Sequence, residues 1–123
     1  MVDTATMPTL HVSGLDDIDV GEFKPKPTSL SEGQMEAMAT LWTSPDGSVT
    51  AGVWECTPGR FAATRDGFSE IAHVIKGRFK ITNPDGSVTE HGPGDMVVTN
   101  SGWRGTWEVT ETIRKVWIIQ RDS

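Results

Sequence analysis

The chain has 123 residues with five Trp, four Phe and one Cys, a length suited to one domain and a content of bulky apolar side chains that argues against disorder. Its 11 basic and 17 acidic side chains give a net charge of −6, which opposes nucleic-acid and anionic-membrane partners, and no run of about 18 apolar residues is present to span a bilayer. The start Met1-Val2-Asp3-Thr4 lacks the basic and apolar stretches of a secretory signal, so a cytoplasmic location is expected.

Residues 1–36 read as an arm that packs on the body or on a partner subunit, because Pro8, Pro25, Pro27 and several glycines interrupt every apolar pattern. Pro25 and Pro27 force extended geometry on the residues before them, which makes Phe23–Thr28 an extended strap. The one helical candidate is Ser31–Ala39, with Ser31 as a possible cap and Gly33 weakening it.

From residue 37 to 123 short apolar runs alternate with turn signals, the pattern of an all-β sandwich or barrel. Pro45-Asp46-Gly47 and Pro84-Asp85-Gly86 carry hairpin chemistry. The two share the run Pro-Asp-Gly-Ser-Val-Thr but not their flanks, so shared turn chemistry explains the likeness without a repeat. Breaks at Asp66-Gly67, Lys76-Gly77, Pro93-Gly94 and Ser101-Gly102 divide the remainder, for about nine strands in all. In Ile71–Ile75, Ile71 and Ile75 share one face and Ala72 and Val74 the other, which predicts a strand covered on both sides. Val116-Trp117-Ile118-Ile119 repeats that pattern. Such strands are an aggregation hazard unless covered, and a homodimer is expected to cover them.

Several motifs resemble those of a known family. Trp54-Glu55-Cys56-Thr57-Pro58-Gly59, Glu70 through Gly77, Gly92-Pro93-Gly94-Asp95, Gly105 through Val109, and Arg114-Lys115 occur in the order found in small single-domain cupins. These are relatives of ureidoglycine aminohydrolase and of the ethanolamine-utilisation cupins. The resemblance implies a double-stranded β-helix, the RmlC-like jelly-roll barrel, with its functional site in the open mouth. It also implies what is missing. Metal-binding cupins supply a His-x-His pair just before the glutamate and a third His in the second motif. Here Ala63, Thr64, Arg65 and Asp66 stand in the first place and Gly105 in the second, so only Glu70 of the usual four ligands remains. Related enzymes use manganese, but one carboxylate beside Arg65 is a poor site for it, and no metal cofactor is expected.

Glu70 and His73 are the candidates for acid and base chemistry. Alternation along one strand sends them to opposite faces unless a bulge re-aims one. Glu70 either pairs with Arg60, Arg65 or Lys115, or stands in an apolar barrel with a raised pKa and exchanges protons with a ligand. Trp54, Arg65, Trp107 and Lys115 are candidates for binding that ligand. Arg114 and Lys115 alternate, so only one faces inward. His11 and His91 have no partner at ligand spacing, and Cys56 reads as a buried thiol. Three functions are compatible with these residues. The first is a metal-independent cupin holding a small polar metabolite, with or without acid and base chemistry; the second is a non-catalytic binding module; the third is a metal-dependent enzyme like the aminohydrolases.

Overall fold

The computed structural model describes residues 7–123, so the N-terminal residues from which a leader was judged absent lie outside it. Eight strands follow one another: β1 (Lys24–Pro25), β2 (Met35–Thr43), β3 (Val49–Cys56), β4 (Gly59–Thr64), β5 (Phe68–Thr82), β6 (Val88–His91), β7 (Met96–Thr99) and β8 (Arg104–Arg121). Among the described residues there is no helix, and none long and apolar enough to cross a membrane. All strand pairs are antiparallel, in the order β1-β2-β3-β8-β5-β6, with β4 also on β8 and β7 also on β5.

Both Pro-Asp-Gly hairpins form, by one mechanism. Asp46 Oδ1 accepts hydrogen bonds from the Ser48 amide and from the Ser44 and Ser48 hydroxyls, and Asp85 Oδ1 accepts from the Ser87 amide and hydroxyl. The Ser48 amide and the hydroxyls around it hold the Asp46 carboxyl down at about 2. Each aspartate thus folds the chain back over a glycine in the left-handed region, Gly47 or Gly86.

One expected break is a bulge. Lys76-Gly77 does not end a strand but lies inside β5, whose register on β8 shifts between Val74 and Phe79. The segment that follows the break at Ser101-Gly102 is one long strand, β8. Gly77 has φ of +91°, and a Cβ there would collide with the Thr112 carbonyl. A kink of this kind bends a long strand pair and lets it close into a barrel. β8 then serves as a spine: its first half pairs with β4 and its second with β3, while β5 follows both halves. Seven strands, β2–β8, therefore replace the nine expected in the barrel, and β1 is a short addition from the arm. The helical candidate Ser31–Ala39 is also corrected. Residues 31–33 form a turn, and β2 begins at Met35 because its backbone groups are claimed by β1 and β3.

Side chains from β3, β4, β5 and β8 fill the barrel, among them Phe79, Val74, Ile113 and Trp107, each at most 2% exposed. A second apolar cluster lies outside, where Val20 of the arm packs on Ala37 and Val53, with Leu15, Phe23, Leu41 and Val116 around them. Arg114 fixes this arm. It donates to the Leu15 and Ile18 carbonyls and to Glu55 Oε2, all within 3.0 Å. Farther along, the strap runs from one sheet edge to another, since Lys24 and Pro25 pair with β2 while Thr28 and Leu30 exchange backbone hydrogen bonds with Ala62 and Arg60 of β4.

The expectation that Ile71–Ile75 is covered on both faces fails within one chain. Ala72 and Val74 are buried, but Ile71 is 38% exposed and its neighbours Val98 and Ile118 on the flanking strands are exposed too. Among the described residues the arm packs on β2, β3 and Val116 of β8, and none of this apolar cluster comes from β5 or β7.

Candidate functional site

The barrel mouth opens into a cavity of about 340 Å³. At its floor stands Glu70, carried inward by β5 alternation, and opposite it Lys115, carried inward by β8. Lys115 Nζ donates to Glu70 Oε1 at 2.9 Å, and Arg65 Nη2 donates to the same oxygen at 3.2 Å. All three side chains are at least nine-tenths buried. Arg65 is clamped further by donating to Thr99 Oγ1 and to the Thr64 carbonyl.

Aromatic rings wall the floor. Lys115 Nζ lies 4.5 Å from the ring centroids of both Trp54 and Trp107, a double cation–π contact. Trp107 stacks on Phe79 with centroids 4.6 Å apart, and Phe61 and Trp117 complete the wall. The indole N–H groups are turned away from a ligand. Trp54 Nε1 donates to Glu36 Oε1, while Trp107 Nε1 and Trp117 Nε1 are buried without a partner among the described residues. The rings therefore offer apolar surface, and directional contacts must come from Lys115, Arg65, Glu70 and the rim.

The electrostatics correct one expectation. Burial by itself would raise the Glu70 carboxyl, but the Lys115 ammonium and then the Arg65 guanidinium outweigh it and hold Glu70 below the usual carboxylate range. Glu70 is thus ionised at rest, not the protonated acid that an apolar barrel alone would create. Lys115 moves down from the ordinary lysine value because burial disfavours its charge, with Glu70 opposing the shift. Cys56 is a buried thiol that burial pushes up to about 11, which makes it unreactive.

Of the residues singled out in the sequence, Trp54, Arg65, Glu70, Trp107 and Lys115 meet in this one cavity. His73 does not join them. It lies exposed on the opposite face of β5, between the inward-facing Ala72 and Val74. The choice between Arg114 and Lys115 falls on Lys115, since Arg114 is turned outward to hold the arm. Arg60, one possible partner for Glu70, is exposed on β4.

Lys26 was missed. It reaches the mouth from the strap, donates to Glu36 Oε1 at 2.8 Å and sits 4.3 Å from the Phe61 ring centroid. Thr28 lines the same wall. The expected extended run Phe23–Thr28 holds only at Lys24–Pro25: the chain turns at Pro27–Thr28, where the Ser29 amide donates to the Lys26 carbonyl, and Lys26 reaches the mouth from the start of that turn.

The residues do not fit the metal that the cupin resemblance brings with it. Ala63 and Gly105, in the places of two histidines, are direct cross-strand partners with no donor side chain. Among the described residues no three His, Cys, Asp or Glu side chains cluster, and the one carboxylate at the site is neutralised by two cations.

Glu70→Gln strands two buried cations, and near neutral pH it should cost on the order of 3–5 kcal/mol. The lowered Glu70 pKa fixes the sign of the pH dependence. The stabilisation from its charge is complete above the unfolded carboxylate value and is lost as pH falls through the lower folded value. Urea unfolding of both proteins should therefore show a stability gap that is widest near neutrality and shrinks in acid. A gap independent of pH would contradict the assignment.

The comparisons with known proteins agree with this architecture. The profile of the EutQ-like cupin domain matches residues 43–117. The chain is similar in structure to the EutQ protein of Clostridium difficile, with a TM-score of 0.68 at 20% identity over 87% of this chain and 83% of that one. It is similar to ectoine synthase from P. lautus, with a TM-score of 0.66 at 17% identity over 95% and 80% of the two chains. The cupin domain of Schizosaccharomyces pombe Cnp3 gives 0.68 at 12% identity over 89% and 72%. No curated protein sequence matches the chain. At these identities the structural likenesses establish the fold alone, and their three different names illustrate how little a fold fixes a function. With the domain profile spanning more than half its length and the barrel topology in place, the chain belongs to the EutQ-like cupin family.

Proposed function

We propose that the barrel mouth binds a small organic anion, a carboxylate with a flat or apolar body. One observation carries this reading: Arg65 and Lys115 both rely on a single oxygen of Glu70, so two buried cations share one buried anion. A buried charge without a partner is costly, and a ligand carboxylate would supply the missing one. The ring surfaces of Trp54, Phe61, Trp107 and Trp117 suit its body. His73 stands exposed on the face of β5 opposite Glu70, which favours binding over the Glu70–His73 acid–base pair. The donor set speaks equally against the metal-dependent aminohydrolase reading.

The test is a titration of tryptophan fluorescence, because Lys115 touches two of the five indoles. 3-Phenylpropionate should change the signal saturably, and phenethylamine, similar in shape but cationic, should not. Equal or tighter binding of the amine would overturn the assignment.

We also infer that the exposed face of β5, β7 and β8 is covered by a second copy of this chain. Ile71, Val98 and Ile118 are neighbours across three strands, with Met96 beside them 70% exposed. A face apolar over three strands is self-complementary in a two-fold dimer. Light scattering should give twice the chain mass, and Ile71→Lys should halve it. A monomer mass for the unaltered chain would refute the dimer. The buried free thiol of Cys56 is in keeping with the reducing cytoplasm in which we place the protein.

A further inference from the structure

The floor of the cavity holds a primary amine under unusual constraint, and from it we propose that Lys115 condenses with the carbonyl of a small 2-oxo acid to form a Schiff base. The inference rests on the anion-binding reading and narrows its ligand class. Three features of the geometry carry it. Lys115 lines the cavity while its side chain is only 6% exposed, so its amine borders the ligand space with little contact with water. Glu70 Oε1, 2.9 Å from Nζ, is placed to take a proton and give it back. Arg65, on the same oxygen, brings a fixed cation next to the amine, where the carboxylate of a 2-oxo acid would lie one bond from its carbonyl carbon.

The step balances without any further reactant. Glu70 accepts a proton from the Lys115 ammonium, and the freed nitrogen lone pair attacks the carbonyl carbon. A C–N bond forms as the carbon–oxygen π pair moves onto oxygen. A proton passes from nitrogen to that oxygen, giving a neutral carbinolamine. Glu70 returns its proton to the hydroxyl, which leaves as water while the nitrogen lone pair forms the C=N bond. Ammonium and ketone become protonated imine and one water, with no change in total charge. For this reason the cation–π contacts with Trp54 and Trp107 and the pairing with Glu70 do not oppose the reaction, since the product keeps a positive nitrogen where the ammonium stood.

The other lysines near apolar surface differ. Lys26 is held by Glu36 at the rim, and Lys76 and Lys80 are about half exposed on the outside. They provide internal controls. The full chain is incubated with phenylpyruvate and sodium cyanoborohydride, which reduces an imine to a stable secondary amine, and modified peptides are located by mass spectrometry. The expected result is an adduct on Lys115 in large excess over Lys76 and Lys80, suppressed by 3-phenylpropionate. Glu70→Gln should slow its formation about a hundredfold, the usual scale for losing a positioned proton carrier. Should that variant not fold, the site selectivity and the competition in the unaltered protein decide the matter. Absence of an adduct on Lys115, or labelling spread evenly over the lysines, overturns the proposal. If 3-phenylpropionate binds and no adduct forms, the imine alone is refuted; if neither ligand binds, the anion reading falls and the imine with it.

Discussion

A single carboxylate oxygen, Glu70 Oε1, holds two cations that the barrel has removed from water. Each of the three charges would be prohibitive alone at that depth, and together they still leave one positive charge in excess. The pocket answers in two ways. Arg65 is pinned by Thr99 and the Thr64 carbonyl, and the Lys115 ammonium rests against two indole rings. Neither device supplies an anion. That imbalance distinguishes this cavity from a polar hole in a β-barrel, and the proposed anionic ligand rests on it.

The charges meet because of strand pairing. Glu70 and Lys115 come from β5 and β8, the two longest strands, where Lys115 stands opposite Val74 in the register and Glu70 opposite Ile119. The same inward row of β8 carries Trp107, Ile113 and Trp117, so one strand delivers the ammonium and part of its aromatic surroundings. Gly52 shows how tightly these surroundings are fitted. A Cβ there would meet the Trp117 ring, which packs directly on the backbone of β3. The strap adds the remaining wall by bridging the edges of β2 and β4 and setting Lys26 over Phe61.

What could be read in the sequence was what short-range rules decide. Pro-Asp-Gly turns were legible because aspartate, serine and glycine make that fold locally. The opposite facing of Glu70 and His73 needed only the period of two. The motifs gave the barrel, and alternation within it pointed Trp107 inward but left Arg114 and Lys115 undecided until the arm claimed Arg114. What depended on pairing between distant segments was hidden. Lys76-Gly77 resembles a turn until β8 lies beside it and makes it a bulge. Ser31–Ala39 resembles a weak helix until β1 and β3 take up the hydrogen bonds of its second half. The direction of the Glu70 shift turned on whether two cations reach one oxygen, which spacing does not reveal. Lys26 was overlooked for the same reason, since only the folded strap places it at the mouth.

The central claim is that Glu70 and Lys115 are energetically one unit. A double-mutant cycle measures it most directly, using urea unfolding of the unaltered chain, Glu70→Gln, Lys115→Met and the double variant. If the carboxylate exists to offset the ammonium, the double variant should be less destabilised than the sum of the single ones by about 1–3 kcal/mol, the range for residues in one charge network. Additivity within about 0.5 kcal/mol, the behaviour of independent sites, would contradict the account.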